Sequence, residues 1–167
     1  VAQHATSAHY VMITEWTSLT GLRWSETRAL RVADLQDVPF PAVWVRRAQS
    51  ECYDEKAPKT ANGERSVPLT DRARQLAREA AAGKRPEAFL FTSPKGRQLR
   101  MNLYRRFTKW TTTAPRKRPH MLRHYCASQW LRAGIPINQV AEWLGDDPRT
   151  VLKVYAHVLG EQQTIEG

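Results

Sequence analysis

The sequence predicts a mainly helical α+β domain that carries one small three-stranded antiparallel sheet. Apolar residues recur at helical spacing over residues 5–19 and through most of residues 71–155, and glycine or proline follows most of these segments. Strand-like runs are confined to residues 42–69. The chain has 167 residues, of which 41% are hydrophobic. No repeat or linker divides it, so we expect one domain over residues 1–167.

The first part of the chain predicts two helices. The first covers residues 5–19 and ends at Gly21, because glycine tolerates the left-handed backbone that closes many helices. Ser25-Glu26 opens a second, short helix, with Leu30 and Val32 as apolar anchors. The buried stripe expected on the first helix consists of Tyr10, Ile13, Trp16 or Thr17, and Leu19.

The sheet is predicted from three strand-like segments. These are residues 42–48, a segment that precedes Lys59, and residues 66–69. The dipeptide Asn62-Gly63 lies between the last two and is typical of a tight hairpin turn. We therefore expect the strands to pair in the antiparallel sense.

From Asp71 onward the pattern is mostly helical. Asp71 is expected to cap a helix that runs to about Ala82 and stops at Gly83. A short buried run covers residues 89–91, and residues 93–96 form a turn. The remaining predicted helices cover residues 102–112, residues 120–133 before Gly134, a segment with Ile137, Val140, Ala141 and Leu144 that ends at Gly145, and a last helix from Asp147-Pro148 through Tyr155.

The charge of the chain favours a polyanionic partner. Lys and Arg number 26 against 16 Asp and Glu, which gives a formal net charge of +10. Phosphates bind such a surface with release of counterions, so nucleic acid is favoured over an anionic membrane surface. No segment reaches the roughly 18 apolar residues of a membrane span. Cys52 and Cys126 are far apart and are interpreted as buried or incidental thiols.

Two basic residues stand where a turn could aim them at a phosphate. Arg23 follows Thr20-Gly21-Leu22 at a junction between helices, and Glu26 could buttress it or simply favour the helix N-terminus. Lys59 precedes the Asn62-Gly63 turn and could contact a phosphate or base, or give a proton to a leaving oxygen. Taken alone, each is better explained by an exposed, solvated side chain.

The segment from His120 to His124 places His120, Arg123 and His124 on neighbouring faces of one helix. A histidine beside an arginine suits proton transfer next to a phosphate that the arginine holds. Zinc binding by the two histidines is a rival, disfavoured because no acidic or cysteine partner stands at metal-site spacing. Helical periodicity alone predicts that Tyr155 is a buried core residue.

Together these residues supply every role in a phosphoryl transfer that needs neither metal nor cofactor: two cationic clamps, a general acid, a general base and a nucleophile. In order along the chain, five segments resemble the catalytic domain of the tyrosine recombinase family, the phage integrases in particular. They are Thr20–Arg23 with Glu26, Pro58–Thr60 through Arg65–Leu69, His120–His124, Trp143–Asp146 and Val154–His157.

The resemblance implies a role for each matching residue. Arg23 and Arg123 would hold the non-bridging oxygens of the scissile phosphate, and Tyr155 would attack the phosphorus to form a 3′-phosphotyrosyl link. Lys59 would protonate the leaving 5′ oxygen, and His120 would help take the tyrosine proton. Further contacts with double-stranded DNA are expected from Arg116, Lys117, Arg118 and His124.

One position departs from the family. The residue after Leu144-Gly145 is commonly His or Trp there, and here it is Asp146. A carboxylate would repel a phosphate unless it is protonated, pairs with an arginine or caps the next helix, so Asp146 is either a tuning residue of the catalytic site or structural. Met121 replaces a frequent Asp, which removes no catalytic role.

The resemblance also carries expectations about the whole protein. Full-length members add N-terminal DNA-binding domains, which this chain lacks, and its start at Val1 suggests a fragment or processed product. We expect the domain alone to be monomeric, the full-length protein to be a tetramer on DNA, and both to act in bacterial cytoplasm at the nucleoid. A non-catalytic DNA-binding relative, a type IB topoisomerase and an RNA-binding domain are the weaker alternatives.

Overall fold

Eight α-helices and a three-stranded antiparallel sheet make up the part of the chain that the computed structural model describes, residues 2–51 and 64–163. This architecture confirms the predicted fold class. The helices are α1 Ala2–Thr20, α2 Trp24–Ala29, α3 Asp71–Ala81, α4 Met101–Phe107, α5 Trp110–Thr113, α6 Met121–Arg132, α7 Ile137–Leu144 and α8 Pro148–Gln163. The strands are β1 Leu35–Gln36, β2 Ala42–Val45 and β3 Arg65–Pro68, and a 3-10 turn covers Val32–Asp34.

Helix α1 buries the face that its sequence pattern predicts. Tyr10, Ile13 and Trp16 are each at most 1% exposed, because residues three apart share a helix face. Gly21 then stops the helix with a φ of 64°. The chain turns there and enters α2, which places Arg23 at the junction as expected.

The sheet has the strand order β1-β2-β3. Its first strand, β1, was not predicted from the sequence. Val43 lies opposite both Leu35 of β1 and Val67 of β3. Strand β1 was missed because two residues are too short to show an alternating pattern. The predicted strand before Lys59 and the Asn62-Gly63 turn fall on residues outside the described part of the chain.

The residue that caps the N-terminus of helix α3 lies one position earlier than predicted. The side chain of Thr70, not of Asp71, accepts a hydrogen bond from the backbone N of Ala73 at 3.2 Å. Asp71 is instead the first helical residue, where a negative charge still favours the positive helix end. The helix end was predicted correctly, and Gly83 follows it with a φ of 72°.

The single helix predicted over residues 102–112 is in fact two. Helix α4 ends at Phe107, and Lys109 adopts a left-handed φ of 50° before α5 starts. Such a backbone is uncommon for a residue other than glycine, so the sequence carries no ordinary stop signal here. Trp110 is 9% exposed on the far side of the break, and its Nε1 donates to the carbonyl of Lys117 at 2.7 Å.

Two hydrophobic clusters form the core, and α6 contributes to both. Leu122 packs against the larger cluster, which α1, the sheet and α3 build, whereas Ala127 and Leu131 belong to the smaller one. The smaller cluster joins α6 to α7 and α8 and includes Tyr155. The C-terminal helices are therefore fixed to the rest of the domain through α6.

The buried thiol of Cys126 agrees with its interpretation from sequence. Its side chain is 2% exposed, and burial raises the pKa of the thiol to about 12. Cys52 lies outside the described residues. Within the described ranges, no helix is both long enough and apolar enough to cross a membrane.

Candidate active site

Arg23 is held at the start of α2 by Glu26. The backbone N of Arg23 donates to Glu26 Oε2 at 2.7 Å, and Arg23 Nη1 donates to Glu26 Oε1 at 3.1 Å. The side chain of Arg23 remains 38% exposed. Glu26 therefore buttresses this arginine, and it is also the acidic residue in the first turn of α2, so both alternatives that the sequence left open for Glu26 hold.

Glu26 is itself fixed by a buried ion pair with Arg65. Arg65 Nη1 and Nη2 donate to Glu26 Oε1 and Oε2 at 2.9 Å each, and Arg65 Nε donates to the Trp143 carbonyl at 2.7 Å. The two charged side chains are 3% and 5% exposed. Burial would raise the pKa of Glu26, but the hydrogen bonds and charges of Arg65 and Arg23 outweigh it and lower that pKa.

Arg65, to which the sequence pattern gave no role, links β3, α2 and the end of α7. A signal for it exists in the sequence. Arg65 and Val67 alternate onto the same inward face of β3, and both residues are buried. An arginine at such a position needs a buried acidic partner.

Arg123 projects from α6 and is 3% exposed. Its Nη1 donates to the Gly21 carbonyl at 2.8 Å, and its Nη2 donates to the Leu144 carbonyl at 2.7 Å. Burial and the charge of Arg23 lower its pKa. The two arginines predicted to act together are thus brought to one place, at the junction of α1 with α2 and the end of α7.

Asp146 lies between these arginines. Its Oδ1 accepts from Arg23 Nη2 at 2.5 Å, and its Oδ2 accepts from Arg123 Nη2 at 2.8 Å. Of the alternatives that the sequence left open, pairing with arginine is the one observed. The cap of the next helix is supplied by Asp147, whose Oδ1 accepts from the backbone N of Arg149 at 2.7 Å.

Tyr155 reaches the same site from α8. It is 6% exposed, and its hydroxyl lies 2.6 Å from His124 Nδ1. Burial raises the pKa of Tyr155 to about 12, with Arg123 opposing the shift and Asp146 adding to it. Burial and then the charge of Arg123 lower the pKa of His124. Near neutral pH, the free protein therefore holds a neutral phenol against a neutral imidazole.

The two histidines of α6 lie at different depths in the site. His124, predicted to contact DNA, has its Nδ1 2.6 Å from the Tyr155 hydroxyl. His120, predicted to help take the tyrosine proton, stands exposed at the N-terminal end of α6, with its ring centroid 5.0 Å from that of His124. Burial, His124 and Arg123 lower the pKa of His120. The two histidines stand about one helical turn apart, and periodicity alone does not tell which ring contacts Tyr155.

The other predicted contacts lie at the edge of the site or outside the described residues. Arg116, Lys117 and Arg118 are exposed in the segment before α6, as a DNA-contacting cluster would be. Lys59 falls among residues 52–63, which are not described. In the described ranges, no group of three His, Cys, Asp or Glu side chains could hold a metal ion.

Curated proteins similar to this chain are tyrosine recombinases. One from Pseudothermotoga lettingae is 29% identical over 152 residues, which cover 86% of this chain and 47% of that protein. The tyrosine recombinase XerC of Chlorobaculum tepidum is 40% identical over 73 residues, which cover 41% of this chain and 22% of that protein. The chain thus spans less than half the length of these relatives.

Solved structures share the fold. The Tn1549 transposon integrase in complex with transposon right end DNA has a TM-score of 0.74 at 17% identity and covers 96% of this chain and 60% of that chain. XerA recombinase has a TM-score of 0.70 at 19% identity, covering 99% and 59%. XerH site-specific recombinase bound to its difH substrate has a TM-score of 0.62 at 18% identity, covering 99% and 46%.

The family model described as the phage integrase family matches residues 1–162. That match takes in every helix and strand of the described structure except the last residue of α8. It also includes both arginines, both histidines and the tyrosine of the site. This chain belongs to the phage integrase family.

Proposed function

We propose that this domain cleaves and rejoins double-stranded DNA at specific sites through a covalent 3′-phosphotyrosyl intermediate. The observation that carries the proposal is the convergence of Arg23 and Arg123 on one anion, Asp146, beside the hydrogen-bonded pair of Tyr155 and His124. Two guanidinium groups that can grip one anion supply charge stabilisation for a phosphoryl transition state. A tyrosine paired with a neutral imidazole supplies the nucleophile and its base.

In the proposed cleavage step, the Tyr155 oxygen attacks the scissile phosphorus while its proton passes to His124. The bond from phosphorus to the 5′ oxygen breaks, and Lys59 gives that oxygen a proton. Arg23 and Arg123 hold the non-bridging oxygens throughout. His120, beside His124, is assigned to the same proton path.

Rejoining reverses these events on a new partner strand. A 5′-hydroxyl attacks the phosphotyrosyl phosphorus, and the tyrosine leaves and regains its proton. One phosphoester bond is made for each one broken in both steps, so neither ATP nor a metal ion enters the balance. DNA of a recombination site is the proposed substrate, which the complexes of the Tn1549 integrase and of XerH with DNA support.

We further propose that the domain alone is a monomer, that the full-length protein assembles as a tetramer on DNA, and that it acts in bacterial cytoplasm on nucleoid DNA. In the full-length protein, N-terminal DNA-binding domains would precede this catalytic domain, residues 1–167. Gel filtration of the domain without DNA tests the first of these statements, and a stable tetramer would contradict it.

Covalent capture tests the chemistry and does not require a defined target sequence. The domain is incubated with a pool of nicked suicide duplexes of random sequence, and adducts are separated on a denaturing gel and sequenced. The wild type should form an adduct, and Tyr155→Phe should form none. Tyr125→Phe removes a hydroxyl from an exposed tyrosine on α6 and should keep the adduct. An adduct that survives Tyr155→Phe would refute the choice of nucleophile.

A further inference from the structure

Asp146 occupies the place between Arg23 and Arg123 that an anionic substrate would take. One carboxylate oxygen lies 2.5 Å from Arg23 Nη2 and the other 2.8 Å from Arg123 Nη2. A carboxylate offers two oxygens to guanidinium donors in the way that two non-bridging oxygens of a phosphate do. The anion position of the free protein is therefore filled from within the chain.

The two arginines do not depend on Asp146 for their positions. Arg23 is tied to Glu26 through its Nη1 and its backbone N. Arg123 is tied to the carbonyls of Gly21 and Leu144. These bonds would still orient both guanidinium groups after the carboxylate had left, since arginine has five donors to distribute.

The Asp146 side chain can leave without a change in the helices. Its backbone N donates to the Ala141 carbonyl at 3.0 Å, which anchors the main chain. Its neighbour Asp147 caps α8, so the carboxylate of Asp146 serves no cap. The side chain is 28% exposed, compared with 3% for Arg123, so a route to solvent is open to it.

We propose that Asp146 is a specificity-determining residue that competes with small free anions, so that they bind weakly, and that it yields its place most readily to the phosphate of a bound DNA duplex. The proposal rests on the proposed function, because it takes the arginine pair to be the phosphate site. A free phosphate ion must displace a tethered carboxylate with no other gain. A phosphate within a duplex arrives with many additional backbone contacts, and these offset the displacement.

Titration with inorganic phosphate tests this competition without any DNA chemistry. Asp146→Asn keeps the shape of the side chain and removes its charge, and calorimetry should then show phosphate binding about tenfold tighter than in the wild type. Asp147→Asn is the matched control, because it makes the same change of charge one residue away and asparagine also caps helices well. Its phosphate affinity should stay close to that of the wild type.

Equal or weaker phosphate binding by Asp146→Asn would overturn the proposal. So would an equal gain in both variants, since the effect would then be one of net charge alone. Circular dichroism and thermal melting of both variants check that each is folded.

A measurement on the wild type keeps the test independent of any variant. In protein labelled with 13C in aspartate side chains, the Asp146 carboxyl resonance should shift as inorganic phosphate is added, and the Asp147 resonance should not. Phosphate binding at the Arg123 guanidinium with an unmoved Asp146 resonance would show that the carboxylate is not displaced and would overturn the proposal. Failure of covalent capture, by contrast, would reject the phosphotyrosyl chemistry and leave this anion result standing.

Discussion

At the scale of single residues, the pair of Tyr155 and His124 determines how the site depends on pH. Both groups are neutral near pH 7, because burial raises the pKa of the phenol and lowers that of the imidazole. A neutral imidazole can accept a proton, and a neutral phenol can give one. On the proposed mechanism, the attack therefore needs no preformed phenolate in the free protein.

We expect the single-turnover cleavage rate at limiting DNA to rise with pH through a pKa below 6.5 and to level off near neutral pH. His124 accepts a proton only in its neutral form. Because its pKa is lowered, the neutral form predominates near neutral pH and is lost as the pH falls through that pKa. His124→Gln should lower the plateau rate by about a hundredfold and remove the rise.

The matched control is His157→Gln, at an exposed histidine of α8, which should leave the profile as it is. A profile that persists in His124→Gln but disappears in His120→Gln would return the base role to His120.

At the scale of secondary-structure elements, the end of α7 determines how closely the site is packed. Gly145 has a φ of 65°, and a Cβ there would lie 2.8 Å from Arg65 Nη1 and 3.0 Å from Arg65 Cζ. The glycine thus leaves the space that the Arg65 guanidinium needs in order to reach Glu26. The same turn presents Asp146 to the two arginines.

Gly145→Ala should therefore destabilise the protein more than Gly134→Ala. Gly134 has a φ of 80° with no atom within 4 Å of a Cβ, so its replacement carries only the cost of a left-handed backbone, about 1–2 kcal/mol. Gly145→Ala adds a steric conflict worth about 1–3 kcal/mol more. Urea denaturation of both variants measures the difference, and equal losses would mean that Arg65 moves aside freely.

The elements also show what the sequence could predict and why. Helix α1 and helices α6–α8 were predicted well because their periodicity, caps and terminal glycines are local signals. The break at Lys109 and the two-residue strand β1 carry no such signal. Within the site, the arginines, Tyr155 and the two histidines were identified by type and order along the chain. The pairing of His124 with Tyr155 and the burial of Arg65 against Glu26 depend on contacts between distant segments.

At the scale of the whole molecule, some basic residues are neutralised by ion pairs within the fold and others are not. Arg72, Arg74 and Arg78 of α3 pair with Glu15 and Asp37. The exposed cluster at residues 116–118 precedes α6, whose Arg123 and His124 lie in the site. If the domain binds DNA as proposed, we expect residues 116–118 to contribute a larger share of the affinity than their number suggests.

Replacement of Arg116, Lys117 and Arg118 by Gln should weaken DNA binding and reduce the slope of log affinity against log salt by about 3, roughly one for each lost phosphate contact. Fluorescence anisotropy with a labelled duplex over a range of salt concentrations measures this slope.

Replacement of Arg72, Arg74 and Arg78 by Gln removes the same charge from paired positions and should change the slope little. If both triple variants weaken binding equally, net charge rather than location controls affinity.

Because α8 is attached through the smaller hydrophobic cluster, the ability to cut DNA on the proposed mechanism depends on complete folding of the domain. Tyr155 helps to form that cluster and at the same time meets His124 of α6. A chain whose α8 has come loose keeps both arginines but has no nucleophile beside them. On the proposed mechanism, an incompletely folded or damaged copy is therefore inert, and the capacity to break a chromosome arises only with the last helix in place.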